Sequence, residues 1–210
     1  MTTPAISEVI TTLAEAEWLF DLIRTEDERF FPEWRTGLPN LFDIEKIALN
    51  ELRRRYLYQR GDGYLSEGTV MLILISPLLA TAGFFDPPFK VRAQESAQIT
   101  LDDGEETLQG RIDVLVLRHQ LWIIVIESEK TPLSVWSALP QTLAYLMANP
   151  QPEQPSFGMM TNGDDILFVK LTQTDPRQYD VSRVFAPLIS KQELYSALQV
   201  LKGISRLIKA

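Results

Sequence analysis

Two apolar runs, Ile112–Leu117 and Leu121–Ile126, stand three residues apart in this 210-residue chain and constrain its fold more than any other stretch. Each has the length of a buried strand, and Arg118-His119-Gln120 between them is short enough for a hairpin turn, so the two are expected to pair antiparallel. Acid enters this stretch in only two places: Asp113 near the start of the first strand, and Glu127 with Glu129 at the end of the second. A hairpin lays the start of one strand beside the end of the next, which predicts that the three carboxylates meet at one end of the sheet. Side chains alternate across a strand, so Glu127 and Glu129 are expected on one face, with Ser128 and Lys130 on the other.

Ionised carboxylates beside such apolar strands are costly unless they share a cation. The chain has no cysteine and one histidine. Oxygen ligation of that kind suits a hard divalent ion, Mg2+ first, with Mn2+ as a substitute. An ion of this class activates water for attack on a phosphodiester and offsets charge on the phosphate oxygens. Taken singly, each acid reads first as a solvated strand end or a turn-proximal cap. Three of them converging favour a site.

With 45% hydrophobic residues the chain is the size of one well-cored unit. An N-terminal helical extension is expected over residues 1–63, packed on a core over residues 64–210. No apolar run approaches a membrane span, Met1–Thr12 lacks the basic and apolar regions of a signal peptide, and the absence of cysteine permits a reducing compartment. A cytoplasmic protein with no membrane partner is therefore expected. The formal net charge of −8 speaks against a broad surface coating nucleic acid. Contact with nucleic acid would be local, through clusters such as Arg53-Arg54-Arg55, and steeply weakened by salt. That cluster reads first as a solvated helix face and second as a phosphate contact.

Within the extension, Ile6, Ile10, Leu13, Trp18, Leu22 and Ile23 recur with acids between them, as in one or two amphipathic helices. Ile44, Ile47, Ala48, Leu52 and Tyr56 place a helix over residues 42–60 that ends at Gly61-Asp62-Gly63. Ser66 is a candidate N-cap for an apolar helix through Val70, Leu72, Ile73 and Leu74, kinked by Pro77, ended by Gly83 and packed deep on the sheet. Glu67 in its first turn suits the helix dipole; the functional alternative is a fourth acid aimed at the carboxylates. A strand over Phe89–Leu101 and an acidic turn over Asp102–Glu106 lead into the central hairpin. Pro132 opens a helix that carries Leu133, Trp136, Leu139, Leu143, Leu146 and Met147 inward and stops at Asn149-Pro150, with Gln141 and Tyr145 four apart on one face. A second hairpin, Ser156–Thr161 and Ile166–Leu171, turns on Asn162-Gly163-Asp164-Asp165. A last helix, Lys191–Lys209, sets Leu194, Leu198, Leu201, Ile204 and Leu207 in one stripe.

The expected order is helix, three antiparallel strands, helix, strand, with an added strand. This α/β (α+β) core resembles the PD-(D/E)XK, restriction endonuclease-like fold over roughly Ser66–Leu171, and looks most like the nuclease domains related to the N-terminal part of type I restriction motor subunits. Glu67 with the helix through Pro77-Leu78-Leu79 resembles the family's first core helix, and Gly110-Arg111-Ile112-Asp113 its metal-binding aspartate strand. Ile126-Glu127-Ser128-Glu129 stands in the place of its Glu-x-Lys. Gln141-x-x-x-Tyr145 is similar to a glutamine–tyrosine motif of the following helix, and Thr161-Asn162-Gly163 to the turn after the next strand.

The resemblance implies a metal-dependent DNA endonuclease. Asp113 and Glu127, with Glu67, would hold Mg2+; Glu129 would be general base or second-metal ligand; Gln141 and Tyr145 would steady the DNA or the acids. Glu129 departs from the lysine of most relatives, although a minority of active restriction endonucleases carry glutamate there. Lys130, a candidate supporting side chain, leaves the strand on the opposite face and substitutes only if the strand bulges. The competing expectation is a catalytically inactive nuclease-like module that binds nucleic acid or protein. The partners implied are DNA, a second copy of the chain in a homodimer, and a separate motor or specificity protein, since the chain has no ATP-binding loop.

Overall fold

The computed structural model describes residues 4–100, 107–118, 121–128 and 133–209, with residues 100, 121–128 and 209 described by backbone alone. In chain order the elements are α1 (Ile6–Val9), α2 (Leu13–Phe20), β1 (Ile23–Arg24), α3 (Asp43–Arg60), α4 (Glu67–Val70), a π-helical turn (Met71–Ile75), α5 (Ser76–Thr81), β2 (Phe89–Thr100), β3 (Thr107–Arg118), β4 (Leu121–Ser128), α6 (Leu139–Met147), β5 (Ser156–Thr161), β6 (Ile166–Thr172), β7 (Gln178–Val181) and α7 (Lys191–Lys209).

The apolar runs of β3 and β4 pair antiparallel, from Val114 opposite Ile126 to Arg118 opposite Leu121, with one register shift between Val116 and Leu117. They lie inside a seven-stranded sheet of order β1-β7-β6-β5-β4-β3-β2. α6 carries the chain across the sheet, so β5 lies parallel to β4, while β2–β3, β5–β6 and β6–β7 are antiparallel. Helices cover both faces. On one, α3, α4, α5 and α7 bury Leu49, Tyr56, Leu78 and Leu198 against Met159 and Phe168; on the other, α1, α2 and α6 bury Ile6, Phe20 and Leu143 against Met160 and Leu167. Alternate residues of β5 and β6 thus feed two cores, which is why both strands are buried along nearly their whole length. The fold is the expected α/β class, and residues before position 64 contribute to both apolar layers.

Several expected faces differ. Ile23 lies in β1, an edge strand parallel to β7, and is exposed, as is Trp18. In α3 the buried positions are Leu49, Leu52 and Tyr56, whereas Ile44, Ile47 and Ala48 face outward. Polar anchors set that rotation: Glu45 pairs with Lys202, and Arg53 donates to the carbonyls of Pro187 (2.7 Å) and Leu188 (2.5 Å). Ser66 caps its helix, accepting from the Thr69 N–H at 3.3 Å. The helix widens into the π-helical turn before Pro77, in which the Ser76 N–H reaches back to the Met71 carbonyl. Proline has no N–H to offer the preceding turn, and the wider turn absorbs that loss where a kink was expected. Leu72 on this turn is exposed, against the expectation of a helix buried all round. Ahead of α6 a 3₁₀ turn over Val135–Ala138 puts Val135 and Ala138 inward and leaves Leu133 and Trp136 exposed. The acidic turn Asp102–Glu106, His119-Gln120 and Pro132 lie outside the described residues.

Candidate functional site

The β3–β4 ladder ends at Val114–Ile126, and Asp113 and Glu127 are the next residue on each strand. Glu127 is in turn aligned with Met160 of β5, and Ser128 with Thr161. The expected pairing of positions 113 and 127 is thus the step just beyond the last pair of the ladder, Val114 with Ile126. The side chain of Glu127, and the whole of Glu129 and Lys130, lie outside the described residues, as does the expectation about which face they share.

Asp113 is half-buried and sits where the alternation of β3 slips. Ile112, Leu115 and Leu117 all belong to the core beneath α6, while Val114 and Val116 belong to the opposite one. Across the ribbon the pairs Ala93–Val114 and Glu95–Ile112 bracket Gln94, whose φ of 56° is left-handed. β2 changes layer at the same level, with Phe89 in one core and Ala97 and Ile99 in the other. A side chain other than glycine in this conformation costs about 1 kcal/mol or more, and such residues concentrate at functional sites.

Beyond Asp113, β3 no longer has β4 as a neighbour, and its backbone groups find other partners. The Tyr145 hydroxyl accepts from the Arg111 N–H (3.1 Å) and from Gln141 Nε2 (2.8 Å), and donates to the Arg111 carbonyl (3.2 Å). Two residues earlier, the Gln109 N–H donates to the Pro4 carbonyl at 3.0 Å. Gly110 permits the approach, because a Cβ there would stand 2.7 Å from the Tyr145 ring. The expected Gln141–Tyr145 pair thus clamps the strand that carries Asp113.

Glu67 opens α4 and is half-buried. Among the described residues no three His, Asp or Glu side chains gather in a metal-binding group, so its role as a fourth acid is not displayed there. The Arg53–Arg55 cluster is largely engaged in structure: Arg53 holds the 187–188 carbonyls and Arg54 pairs with Glu51 at 2.8 Å.

A tether that sequence reasoning missed lies in the β5–β6 turn. Asn162, buried, donates to the Leu133 carbonyl (2.7 Å) in the segment that follows β4, and its own oxygen accepts the Asp164 and Asp165 N–H groups. Arg60 grips Asp164 through two bonds of 3.0 Å. The Asn-Gly signal pointed to the turn but not to its side-chain contacts. Burial, then the charge of Asp164, raises Asp165 above the usual carboxylate range. The unfolded chain releases this proton first, so stability falls as pH rises from the ordinary value to the raised one. Asp165→Asn is expected to raise the unfolding temperature at pH 7 by roughly 2 °C and to give no gain at pH 3, read from thermal melts at both pH values.

No family model matches the chain, and no curated protein matches it. Among the described residues no helix is long and apolar enough to cross a membrane. Among solved structures the chain is similar to a fragment assigned as an HsdR subunit of a type I restriction enzyme from Vibrio vulnificus, with a TM-score of 0.41 and 20% identity. The similarity covers 67% of this chain and 26% of that one, so this chain spans about a quarter of the fragment's length.

Proposed function

We propose that the chain is a metal-dependent nuclease acting on DNA, in which Asp113 and Glu127 hold a divalent ion at the end of the β3–β4 ribbon. The observation that supports this is the register: the ladder ends at Val114–Ile126, and the next residue on each strand is a carboxylate, Asp113 and Glu127. Their chemistry fits Mg2+ or Mn2+, since both offer hard oxygen donors, and Glu67 and Glu129 would be the further carboxylates. When bound, such an ion activates water and stabilises charge on the phosphate oxygens of a phosphodiester.

The chain's own residues position the reactants. Tyr145 and Gln141 lock the backbone two residues before Asp113, so the strand end keeps one register. Glu129, in the place where similar nucleases carry lysine, is assigned as general base or second-metal ligand, with Lys130 as a supporting cation. DNA contact is local, in keeping with a net charge of −8. A second copy of the chain, or a separate motor or specificity protein of the type I restriction kind, is the protein partner that goes with this assignment.

Thermal melts test the ion site. Mg2+ or Mn2+ at about a hundredfold excess over Kd is expected to raise the unfolding temperature by roughly 5 °C or more, and Asp113→Ala to abolish the shift. Metal-dependent nicking of supercoiled plasmid is expected in the parent and not in Glu127→Gln. A parent protein with neither response would be a non-catalytic module on this fold.

A further inference from the structure

Gln94 and Arg111 are joined across the β2–β3 ribbon beside Asp113, and neither belongs to the ion site proposed above. The Arg111 guanidinium donates through Nη2 to the Gln94 amide oxygen. Its neighbour Arg92 is paired with Glu95 at 2.9 Å, whereas among the described residues no carboxylate forms an ion pair with Arg111. An arginine held by a neutral amide keeps its charge available, and its planar fork has further donors left for an anion. The backbone beneath it is pinned on both sides by Tyr145, so the charge is presented from a rigid strand. Around it Ser96, Gln98 and Gln109 are exposed and uncharged. These three positions add no negative charge beside Arg111, and Glu95 is already paired with Arg92, so a polyanion can approach the guanidinium.

The conformation of Gln94 points the same way. At φ 56° glycine would fit at the least cost, and asparagine tolerates the region better than glutamine. Glycine has no amide, however, and asparagine is a methylene shorter. The strained residue present is one whose amide reaches Arg111. We propose that Arg111 is a phosphate-contacting residue for DNA and that Gln94 is its positioning residue, acting from the kink opposite Asp113. This assignment rests on the nuclease reading.

The test is fluorescence anisotropy of a labelled DNA duplex with the full chain, in Ca2+ to hold back hydrolysis, at several salt concentrations, with the Mn2+ thermal shift measured in parallel. Arg111→Gln is expected to bind roughly tenfold more weakly and to lower the slope of log K against log salt by about one, with the Mn2+ shift unchanged. Arg111→Lys is expected to keep the slope but recover only part of the affinity, because a point charge loses the fork. Gln94→Gly keeps the backbone conformation without the amide, and is expected to weaken binding about threefold at an unaltered slope. Unchanged affinity and slope in Arg111→Gln, with a parent that binds DNA and responds to Mn2+, would overturn this assignment and leave the nuclease reading standing. Loss of the Mn2+ shift in a folded Arg111→Gln would also overturn it, by making Arg111 part of the ion site's framework. A parent that neither binds the duplex nor responds to Mn2+ removes both.

Discussion

Gly163→Ala is expected to lower stability by roughly 4 kcal/mol, measured as a fall in the urea midpoint at unchanged slope. Two effects add. The residue has φ 88°, where an L side chain is strained, and its Cβ would stand 2.0 Å from the Tyr56 hydroxyl and 2.9 Å from Val70 Cγ2. The hydroxyl cannot easily retreat, because Tyr56 is 1% exposed. Among the described residues it has no hydrogen-bond partner, and burial together with the Asp164 charge keeps the phenol neutral, well above its ordinary range. Tyr56→Phe removes a buried polar atom that has no partner, and is expected to raise stability by about 1 kcal/mol. In the double substitution the hydroxyl contact disappears while the strain at φ 88° and the Val70 contact persist, so a coupling of about 1–2 kcal/mol is expected from the cycle. Additive single effects would show that the turn moves away from α3 instead. Such a movement would reach the candidate site, because the same turn holds the Leu133 carbonyl through Asn162.

What could be read from the sequence followed period and punctuation. The central hairpin, the hairpin about Asn162-Gly163 and α7 each carry a clean repeat bounded by a turn or a cap, and each stands where expected. β1 and β7 escaped because two and four residues are too short to show alternation, and β7 owes its place to β6 and to a Tyr179 hydroxyl donating to Glu17 at 2.5 Å. The outward turn of Ile44 and Ile47 escaped because long-range polar contacts, Glu45 to Lys202 and Arg53 to the 187–188 carbonyls, decide the rotation of α3 against its local apolar pattern. At the site, the antiparallel pairing of β3 with β4, which ends one residue from Asp113 and Glu127, followed from hairpin geometry alone. The kink at Gln94 did not, since glutamine carries no turn signal and a left-handed residue in mid-strand is set by tertiary context. The spacing of Gln141 and Tyr145 was visible, but its consequence became visible only with β4 seen to end short of Arg111.

Tyr145→Phe removes a single oxygen and is expected to cost roughly 3 kcal/mol, because three groups lose their partner at once: the Arg111 N–H, the Arg111 carbonyl and Gln141 Nε2. The ring remains packed against Gly110, so the loss belongs to the hydroxyl and not to a cavity. Tyr179→Phe is the control. Its hydroxyl bonds Glu17 near the far edge of the sheet, and its loss is expected to cost about 1 kcal/mol. If the clamp serves Asp113, Tyr145→Phe will also lose most of the Mn2+ shift and of the plasmid nicking at temperatures where it is fully folded, while Tyr179→Phe keeps both. Leu143→Ala, a buried truncation on the same helix, supplies a third variant of comparable instability with the clamp intact. Equal retention of the Mn2+ response across all three would assign the Tyr145 hydroxyl to the stability of β3 alone, and the ion site would then have to be held in register by the β4–β5 ladder, where Glu127 is already aligned with Met160.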